Sequence, residues 1–251
     1  MFERDYIVLP SDAGTRGIIK PRNLIDCLQD TADMAVTKLN ADVHSVMESG
    51  YAWILVHIKM SVDRWPKLSE KITCRTWHSV DDKLYLLRAF DILTDDGKTI
   101  VNGSSSWLLL DVARLRPVRA KNNLPQVLLR NGENNPYISS EFTELPKEHA
   151  ATSKNIDVKT FEVRLHDLDA NDHVNNAVYI EWAVESVPRD MYMNHKLIGW
   201  DVIYRKGAHL GDEVIVKTKE EHIESSSPGR AFTGIIKTGE KSLCTVRTYW
   251  H

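Results

Sequence analysis

The sequence predicts an α+β fold in which an antiparallel sheet wraps around one long central helix, and it predicts this arrangement twice. Each half of the chain runs in the same order, with one strand, one helix and about four further strands. The strands follow one another with turn residues between them, which is typical of antiparallel pairing. The helix expected over 176–187 is apolar nearly all round, as a helix enclosed by a sheet should be.

The first half begins with a strand expected over 2–9 and a long helix that starts at Pro21, because proline suits the first helical position. A short helical piece is expected over 40–50. Four strands should follow, over 52–62, 71–79, 84–93 and 99–111. The turn residues Asp95-Asp96-Gly97-Lys98 predict a hairpin between the last two of these strands.

The periodic pattern fades after about residue 117, where Asn, Gly, Ser and Pro accumulate. We therefore expect an N-terminal domain over 1–120, a linker over 121–155 that drapes over the surface, and a C-terminal domain over 156–251. The C-terminal domain should contain a strand over 158–165, the helix over 176–187, and four strands over 197–206, 213–222, 230–237 and 243–250.

The two halves align without a gap around their helices. Asp12 falls on Asp167 and Ile25 on Ile180, an offset of 155 residues. At the same offset, three polar residues of the second half align with residues of different chemistry in the first half. Asp169 aligns with Gly14, Asn171 with Arg16 and His173 with Ile18. A purely structural turn should use similar residues in both copies, so the difference favours chemistry in the second half.

Residues 166–176 combine carboxylates, Asn and two His directly before the apolar helix. Asp supplies a base or a nucleophile, Asn positions by hydrogen bonds, and His relays a proton near neutral pH. Asn175 or Asn176 suits the helix N-cap, and the N-terminus of a helix offers N–H groups that can hold an oxyanion. Such a set suits water-mediated cleavage of an activated ester, although a turn followed by a cap has the same composition.

Composition and length exclude several classes of function. A net charge of −3, with aromatic residues spread along the chain, gives no indication of nucleic-acid binding. No apolar run approaches the roughly 18 residues that cross a membrane. The chain has no Gly-rich phosphate loop and no familiar zinc spacing, so we expect no cofactor and no metal. Three scattered Cys predict free thiols in a reducing compartment.

The segment from Asp167 to Asn176 resembles the corresponding motif of the fatty acyl-ACP thioesterases of plants and bacteria. Tyr179-Ile180, Trp182 and Glu185-Ser186-Val187-Pro188 extend the likeness, which covers nearly the whole chain except the linker. The resemblance implies a tandem (double) hotdog fold. It also implies hydrolysis of the thioester between a fatty acyl chain and acyl carrier protein, with the family's Asp, Asn and His at Asp169, Asn171 and His173.

The sequence departs from the plant pattern in the strand that follows. Plant members have Glu-Cys after Tyr-Arg-Arg, and both residues have been given catalytic roles. Here Gly207 stands at the Glu position and Ala208 at the Cys position. A thiol nucleophile is therefore excluded at that point, and the mechanism should centre on Asp169, as nucleophile or as base. We interpret Cys244 as a packed apolar residue.

The resemblance also implies how substrate binds. The acyl chain should lie in the first half between helix and sheet. The candidates, for each of which taken singly ordinary core packing is the favoured interpretation, are Leu24, Leu28, Met34, Trp53, Leu55 and Trp107. The partner, an acidic acyl carrier protein with a fatty acyl-phosphopantetheine arm, requires basic residues. The candidates in the second half are Arg189, Lys196, Arg205, Lys206 and Arg230.

Two other functions stay open at this point. An acyl-CoA thioesterase would use the same scaffold and chemistry with another carrier. A non-catalytic fatty-acyl-binding or regulatory hotdog protein is favoured by Gly207 and Ala208 and disfavoured by the intact Asp169, Asn171 and His173. Two hotdog units in one chain make a monomer sufficient, with a homodimer as the alternative. Residues 1–20 lack a signal or plastid-type leader, so a bacterial cytoplasmic protein is expected.

Overall fold

The structure is a computed structural model that describes residues 1–78, 84–120, 123, 144–150, 154–221 and 229–251. The chain forms two compact units, Met1–Phe142 and Thr143–His251. The linker expected over 121–155 lies mostly outside the described residues. Of its described part, Leu145 is buried and the Pro146 carbonyl accepts a hydrogen bond from Thr245 at 2.7 Å, so residues 145 and 146 pack on the second unit.

The first unit is an antiparallel sheet with one long helix, as the sequence predicts. The elements are β1 Phe2–Ile7, α1 Pro21–Thr37, α2 Val43–Glu48, β2 Tyr51–Val62, β3 Lys71–His78, β4 Tyr85–Thr94, β5 Thr99–Asp111 and β6 Arg116–Val118. The strand order is β1-β3-β4-β5-β2, with β6 paired to β5. The predicted hairpin is confirmed, since Gly97 has a φ of +80° and donates to the Thr94 carbonyl at 2.9 Å. Strand β6 was not predicted.

The second unit repeats this topology. It comprises β7 Ile156–Glu162, α3 Asn176–Glu185, α4 Arg189–Asn194, β8 Leu197–Tyr204, β9 Glu213–Glu221, β10 Arg230–Thr238 and β11 Lys241–Trp250. The strand order β7-β9-β10-β11-β8 matches that of the first unit element for element. The strand expected over 158–165 stops at Glu162, because the chain turns into a 3₁₀-helix at Leu165–Asp167. Neither this short helix nor α4 was predicted.

Helix α3 is the centre of the second unit. It packs against β9, β10 and β11, and its apolar side chains are buried, as predicted for a helix that is apolar all round. The Trp182 ring stacks on Phe161 at a centroid distance of 5.9 Å and meets the Tyr179 ring edge-on at 5.3 Å. In the described residues no helix is long and apolar enough to cross a membrane.

The internal repeat is confirmed by equivalent hydrogen bonds at the predicted offset. The buried carboxylate of Asp12 accepts the Leu9 N–H at 2.9 Å, and that of Asp167 accepts the Arg164 N–H at 2.9 Å. In both units this carboxylate closes the turn between the first strand and the central helix. The repeat therefore extends from the order of elements down to individual backbone contacts, which permits a residue-by-residue comparison of the two helix entries.

Candidate active site

The predicted catalytic segment forms a tight loop at the start of α3, which we call the site loop (residues 168–174). Leu168 and Val174 form an antiparallel bridge that closes it. Inside the bridge, Asp169 N–H donates to the His173 carbonyl at 2.7 Å. Asp172 has a φ of +59°, a left-handed conformation that Asp tolerates better than most residues. The loop thus brings Asp169 and His173 to opposite sides of one narrow turn.

The first unit builds the same loop from different residues. Ala13 and Ile19 form the closing bridge, and Gly14 N–H donates to the Ile18 carbonyl at 2.9 Å. Gly17, with a φ of +66°, takes the left-handed position that Asp172 holds in the second unit. The turn therefore forms without a carboxylate or an imidazole, and the polar side chains of the site loop are not needed for its backbone.

The carboxylate of Asp169 is half-buried and held by the loop itself. Its Oδ1 accepts the Asn171 N–H at 2.8 Å and the His173 N–H at 3.3 Å. In the described part of the chain, Oδ2 has no hydrogen-bond partner. One carboxylate oxygen is therefore fixed by backbone amides, and the other is left for water or for substrate.

The imidazole of His173 is exposed, and its orientation is set by Asn171. The Nδ1 atom lies 2.7 Å from the Asn171 carbonyl oxygen. Because a carbonyl only accepts, Nδ1 carries the proton, and in the neutral ring Nε2 is the basic nitrogen. Asn171 thus acts on both neighbours through its backbone N–H and C=O. Its side chain, expected to do the positioning, is exposed and makes no contact found among the described residues.

At the start of α3, more of the backbone N–H groups already have hydrogen-bond acceptors than the sequence indicated. The Asn175 Oδ1 caps the helix by accepting the Ala177 N–H at 2.8 Å, and Val178 N–H donates to the Asn175 carbonyl at 3.0 Å. Within the described residues, the Asn176 N–H is the amide of this turn that has no partner. Of the two predicted oxyanion contacts, Asn175 and Asn176, the Asn176 N–H is therefore the better candidate. The N–H groups that follow it already donate to Asn175.

The chain after β8 lies directly against the site loop. Val174 N–H donates to the Ala208 carbonyl at 3.1 Å, and Ala208 N–H donates to the Tyr179 hydroxyl at 2.9 Å. The Tyr204 hydroxyl donates to the Asn176 carbonyl at 2.9 Å. Burial raises the pKa of Tyr179, so its phenol stays protonated at neutral pH. These bonds fix residues 204–208 to the helix entry.

Gly207 lies against the ring of His173. A Cβ at this position would be 2.7 Å from His173 Cδ2, closer than real contacts allow. The neighbouring residue His209, which the sequence analysis missed, packs its ring on His173 at a centroid distance of 4.8 Å and an angle of 50°. The signal that could have found His209 is its place in the segment after β8, two residues beyond the Gly207 position.

The structure also describes the surroundings of Asp167 and of the three cysteines. Asp167 is fully buried and receives two hydrogen bonds from the Arg164 guanidinium, so it is not available as a metal ligand. No group of three His, Cys, Asp or Glu is placed to hold a metal in the described ranges. All three cysteines are free and buried, and burial raises the pKa of Cys244, which confirms its interpretation as a packed residue.

Comparison with known proteins identifies the family. Residues 1–127 match the acyl-ACP thioesterase N-terminal domain, and residues 150–251 match the acyl-ACP thioesterase C-terminal domain. The chain belongs to the acyl-ACP thioesterase family.

Two curated relatives show the extent of the similarity within this acyl-ACP thioesterase family. The chain is 24% identical over 219 residues to the chloroplastic palmitoyl-acyl carrier protein thioesterase of Cuphea hookeriana, covering 82% of this chain and 51% of that protein. It is 26% identical over 238 residues to the chloroplastic oleoyl-acyl carrier protein thioesterase 2 of Arabidopsis thaliana, covering 88% of this chain and 63% of that protein. The chain thus spans between about a third and two thirds of the length of the relatives it matches.

Solved structures of similar proteins confirm the tandem hotdog fold. The 12:0-ACP thioesterase from Umbellularia californica has a TM-score of 0.83 at 17% identity, covering 100% of this chain and 93% of that one. An acyl-ACP thioesterase from Bacteroides thetaiotaomicron has a TM-score of 0.81 at 20% identity, and the match covers 99% of this chain and 97% of that one. At these identities the likeness establishes the fold.

Gly207, where the resemblance to the plant enzymes places a Glu, has little free space around it. A side chain at residue 207 and the present place of the His173 ring exclude one another. The backbone of Gly207 does not require glycine, because its φ lies outside the left-handed region. A side chain at residue 207 would therefore require the exposed His173 ring to move from its present place.

The six residues predicted to bind the acyl chain lie in different surroundings. Leu24 and Leu28 are buried residues of α1, while Met34 on the same helix is 45% exposed. Trp53 donates to the Ala41 carbonyl at 3.0 Å and packs with α2. Leu55 pairs with Trp107 across β2 and β5. In this pair Leu55 is buried and Trp107 is half-buried.

The inner face beside Trp107 is not uniformly apolar. Arg88 on β4 pairs with Ser105 on β5, two residues along from the pairing of Leu86 with Trp107 and therefore on the same face. The Arg88 guanidinium donates to the Thr76 hydroxyl at 3.1 Å, and burial lowers its pKa to about 10. No sequence pattern predicted a half-buried cation on this face.

The five cations predicted to meet the carrier protein do not form one patch. Lys196 precedes β8 and Lys206 follows it, and a strand of eight residues is about 26 Å long. Arg230 pairs with Trp250, which in turn pairs with Leu197, so Arg230 lies at the Lys196 end. Arg189, at the start of α4, leads into that end as well.

The end of β8 near the site loop carries the other two cations. Arg205 donates to the Thr245 hydroxyl at 2.8 Å, and burial lowers its pKa. Lys206 is exposed and adjoins Gly207. Arg230, at the far end, is bound by Glu220 at 2.9 Å. Lys206 is therefore the one of the five that lies exposed beside the site loop.

Proposed function

We propose that this protein hydrolyses the thioester of fatty acyl-acyl carrier protein to free fatty acid and the carrier thiol, with Asp169, Asn171 and His173 at the reacting centre. One observation carries the proposal. The two units build the same helix-entry loop with the same backbone hydrogen bonds, and the acid, the amide and the imidazole occur in the second unit alone. Family membership supplies the substrate class.

In the proposed reaction, a water molecule attacks the thioester carbonyl and gives its proton to His173 Nε2. The Nδ1 contact to the Asn171 carbonyl supports this assignment, because it leaves Nε2 basic. Asp169 Oδ2 accepts a hydrogen bond from the same water and orients it, while Oδ1 stays bound to backbone amides. A nucleophilic role of Asp169 is the alternative, and it would form an acyl-aspartate anhydride that water then cleaves.

The tetrahedral intermediate carries its negative charge on the former carbonyl oxygen. We assign the Asn176 N–H at the start of α3 to that oxygen, where the partial positive charge of the helix end adds to the hydrogen bond. Collapse of the intermediate breaks the carbon–sulfur bond. The imidazolium of His173 then gives its proton to the leaving phosphopantetheine sulfur, which restores the neutral ring.

The acyl chain is proposed to lie in the first unit beside Leu55 and Trp107, and the carrier to contact the surface around Lys206. Because the five predicted cations are not one patch, the choice between acyl carrier protein and coenzyme A depends on the family alone. The cytoplasmic location stays a prediction, since the two plant relatives are chloroplastic proteins.

Thiol release tests the proposal. The purified protein is offered acyl-acyl carrier protein and acyl-CoA in parallel over a series of chain lengths, and the free thiol is titrated. Turnover on acyl-acyl carrier protein is expected. Turnover on acyl-CoA alone would reassign the carrier, and stoichiometric binding without thiol release would favour a fatty-acyl-binding protein.

A further inference from the structure

We propose that His209 is a positioning residue that, together with Gly207, holds the imidazole of His173 in its working orientation. The inference rests on the proposed function of the site loop. Neither residue is expected to touch the substrate. Their role is to restrict the His173 ring from two sides, while the Asn171 carbonyl fixes it from a third.

The repeat shows that residues 173 and 209 are brought together by the backbone. In the first unit Ile19 N–H donates to the Pro66 carbonyl at 3.0 Å, and in the second Val174 N–H donates to the Ala208 carbonyl at 3.1 Å. Pro66 is thus equivalent to Ala208, and the residue after it, Lys67, is equivalent to His209. Lys67 forms an antiparallel bridge with Ile18, the equivalent of His173. The contact between the two rings therefore follows from the fold.

The segment that carries His209 is held rigidly. His209 N–H donates to the Asp212 carboxylate at 3.0 Å, and Asp212 N–H returns a hydrogen bond to the His209 carbonyl at 3.1 Å. Gly211, with a φ of +80°, completes the turn and donates to the Val163 carbonyl at 3.2 Å. With Ala208 bound to Tyr179 as well, His209 has a fixed backbone on both sides.

The contact itself is ring packing. The centroids are 4.8 Å apart at an angle of 50°, and no hydrogen bond between the two rings is found in the described structure. Ring pairs at this spacing attract one another through their faces and edges. An exposed imidazole with a single hydrogen bond would otherwise rotate about χ1 and χ2, and Nε2 would face the reacting centre for part of the time. His209 and Gly207 reduce that freedom.

Two variants separate packing from proton transfer. His209→Ala removes the ring, whereas His209→Phe keeps an aromatic face without a titratable nitrogen. We expect His209→Ala to lower kcat about tenfold, equivalent to about 1.4 kcal/mol, with KM nearly unchanged. We expect His209→Phe to stay within about threefold of the natural protein. Lys67→Ala is the matched control at the equivalent place in the first unit, and it should leave kcat unchanged.

Gly207→Ala tests the other side of the ring. Its Cβ must displace the ring, since it would lie 2.7 Å from Cδ2. We expect a larger fall in kcat than for His209→Ala, again with little change in KM. Equal kcat values for Gly207→Ala and the natural protein would contradict the proposed restriction.

Nitrogen NMR of the His173 ring gives a readout that does not depend on turnover. The natural protein should show one ring environment with the proton on Nδ1, and His209→Ala and Gly207→Ala should show mixed tautomers. If all three spectra are as expected but the natural protein releases no thiol, the positioning role of His209 is supported and the proposed hydrolysis is rejected. Two results would overturn the inference: an unchanged spectrum and kcat in His209→Ala, or a loss in His209→Phe as large as in His209→Ala, which would assign the role to a His209 nitrogen.

Discussion

Replacing Asp169 by Asn separates the structural role of this side chain from its chemical role. The amide oxygen of Asn can still accept the two backbone N–H groups that Oδ1 now accepts at 2.8 and 3.3 Å. Bonds to a neutral acceptor are weaker than bonds to a charged one, so we expect a loss of about 1 kcal/mol at most in the free energy of unfolding. For a chain of this size that is about 2–4 °C in Tm.

The effect on catalysis should be far larger. Asn places an NH₂ group where Asp169 Oδ2 accepts the hydrogen bond of the water that His173 deprotonates. Losing one member of such an acid–base set typically lowers the rate by about 10²–10⁴, which is about 2.7–5.5 kcal/mol in the activation barrier. The assay is thiol release from acyl-acyl carrier protein at saturating substrate, with a thermal unfolding scan of the same preparation. Asp172→Asn is the matched control, because it removes the same charge from the same loop at a left-handed position that Asn tolerates. A kcat for Asp169→Asn within threefold of the natural protein would refute the assignment.

Three further predictions concern the support of the site. Asp167→Ala should lower the free energy of unfolding by about 2–4 kcal/mol in a urea titration, because it leaves the Arg164 N–H without its buried acceptor; a loss below about 0.5 kcal/mol would contradict this. Tyr179→Phe should cost about 1–3 kcal/mol in the same titration, since the buried Ala208 N–H loses its acceptor, and an unchanged midpoint would show that water replaces the hydroxyl. A thiol reagent should label no cysteine in the folded protein and all three in urea, because burial raises the pKa of these thiols; labelling of the folded protein with loss of activity would contradict a thiol-independent mechanism.

The fold was predictable because its central helices, strands and turns each leave a separate signal in the sequence. The central helix of the second unit is apolar on all sides, the strands alternate, and Asp95-Asp96-Gly97-Lys98 predicts its hairpin. The repeat strengthened every one of these signals, since each element is predicted twice. Two short elements, β6 and α4, were missed because a run of three or six residues carries little periodic signal, whereas α2, also six residues long, was predicted.

The sequence was sufficient to locate the segment that carries the candidate site, but not to predict the contacts among its side chains. The asymmetry between Gly14 and Asp169 located it, whereas the contact between His173 and His209 joins residues 36 positions apart through a turn whose register only the structure gives. The occupied amides at the start of α3 depend on the rotamer of Asn175, which no spacing rule provides. The candidate cations lie at both ends of β8, an arrangement that net charge could not indicate because it carries no information about position.

The most direct test of the central claim is single-turnover thiol release from acyl-acyl carrier protein by the natural protein, Asp169→Asn and Asp172→Asn, measured side by side. We predict rapid release by the natural protein and by Asp172→Asn, and a rate lower by at least about a hundredfold for Asp169→Asn. Release at the same rate by all three proteins, or binding of the acyl carrier without release by any of them, would contradict it.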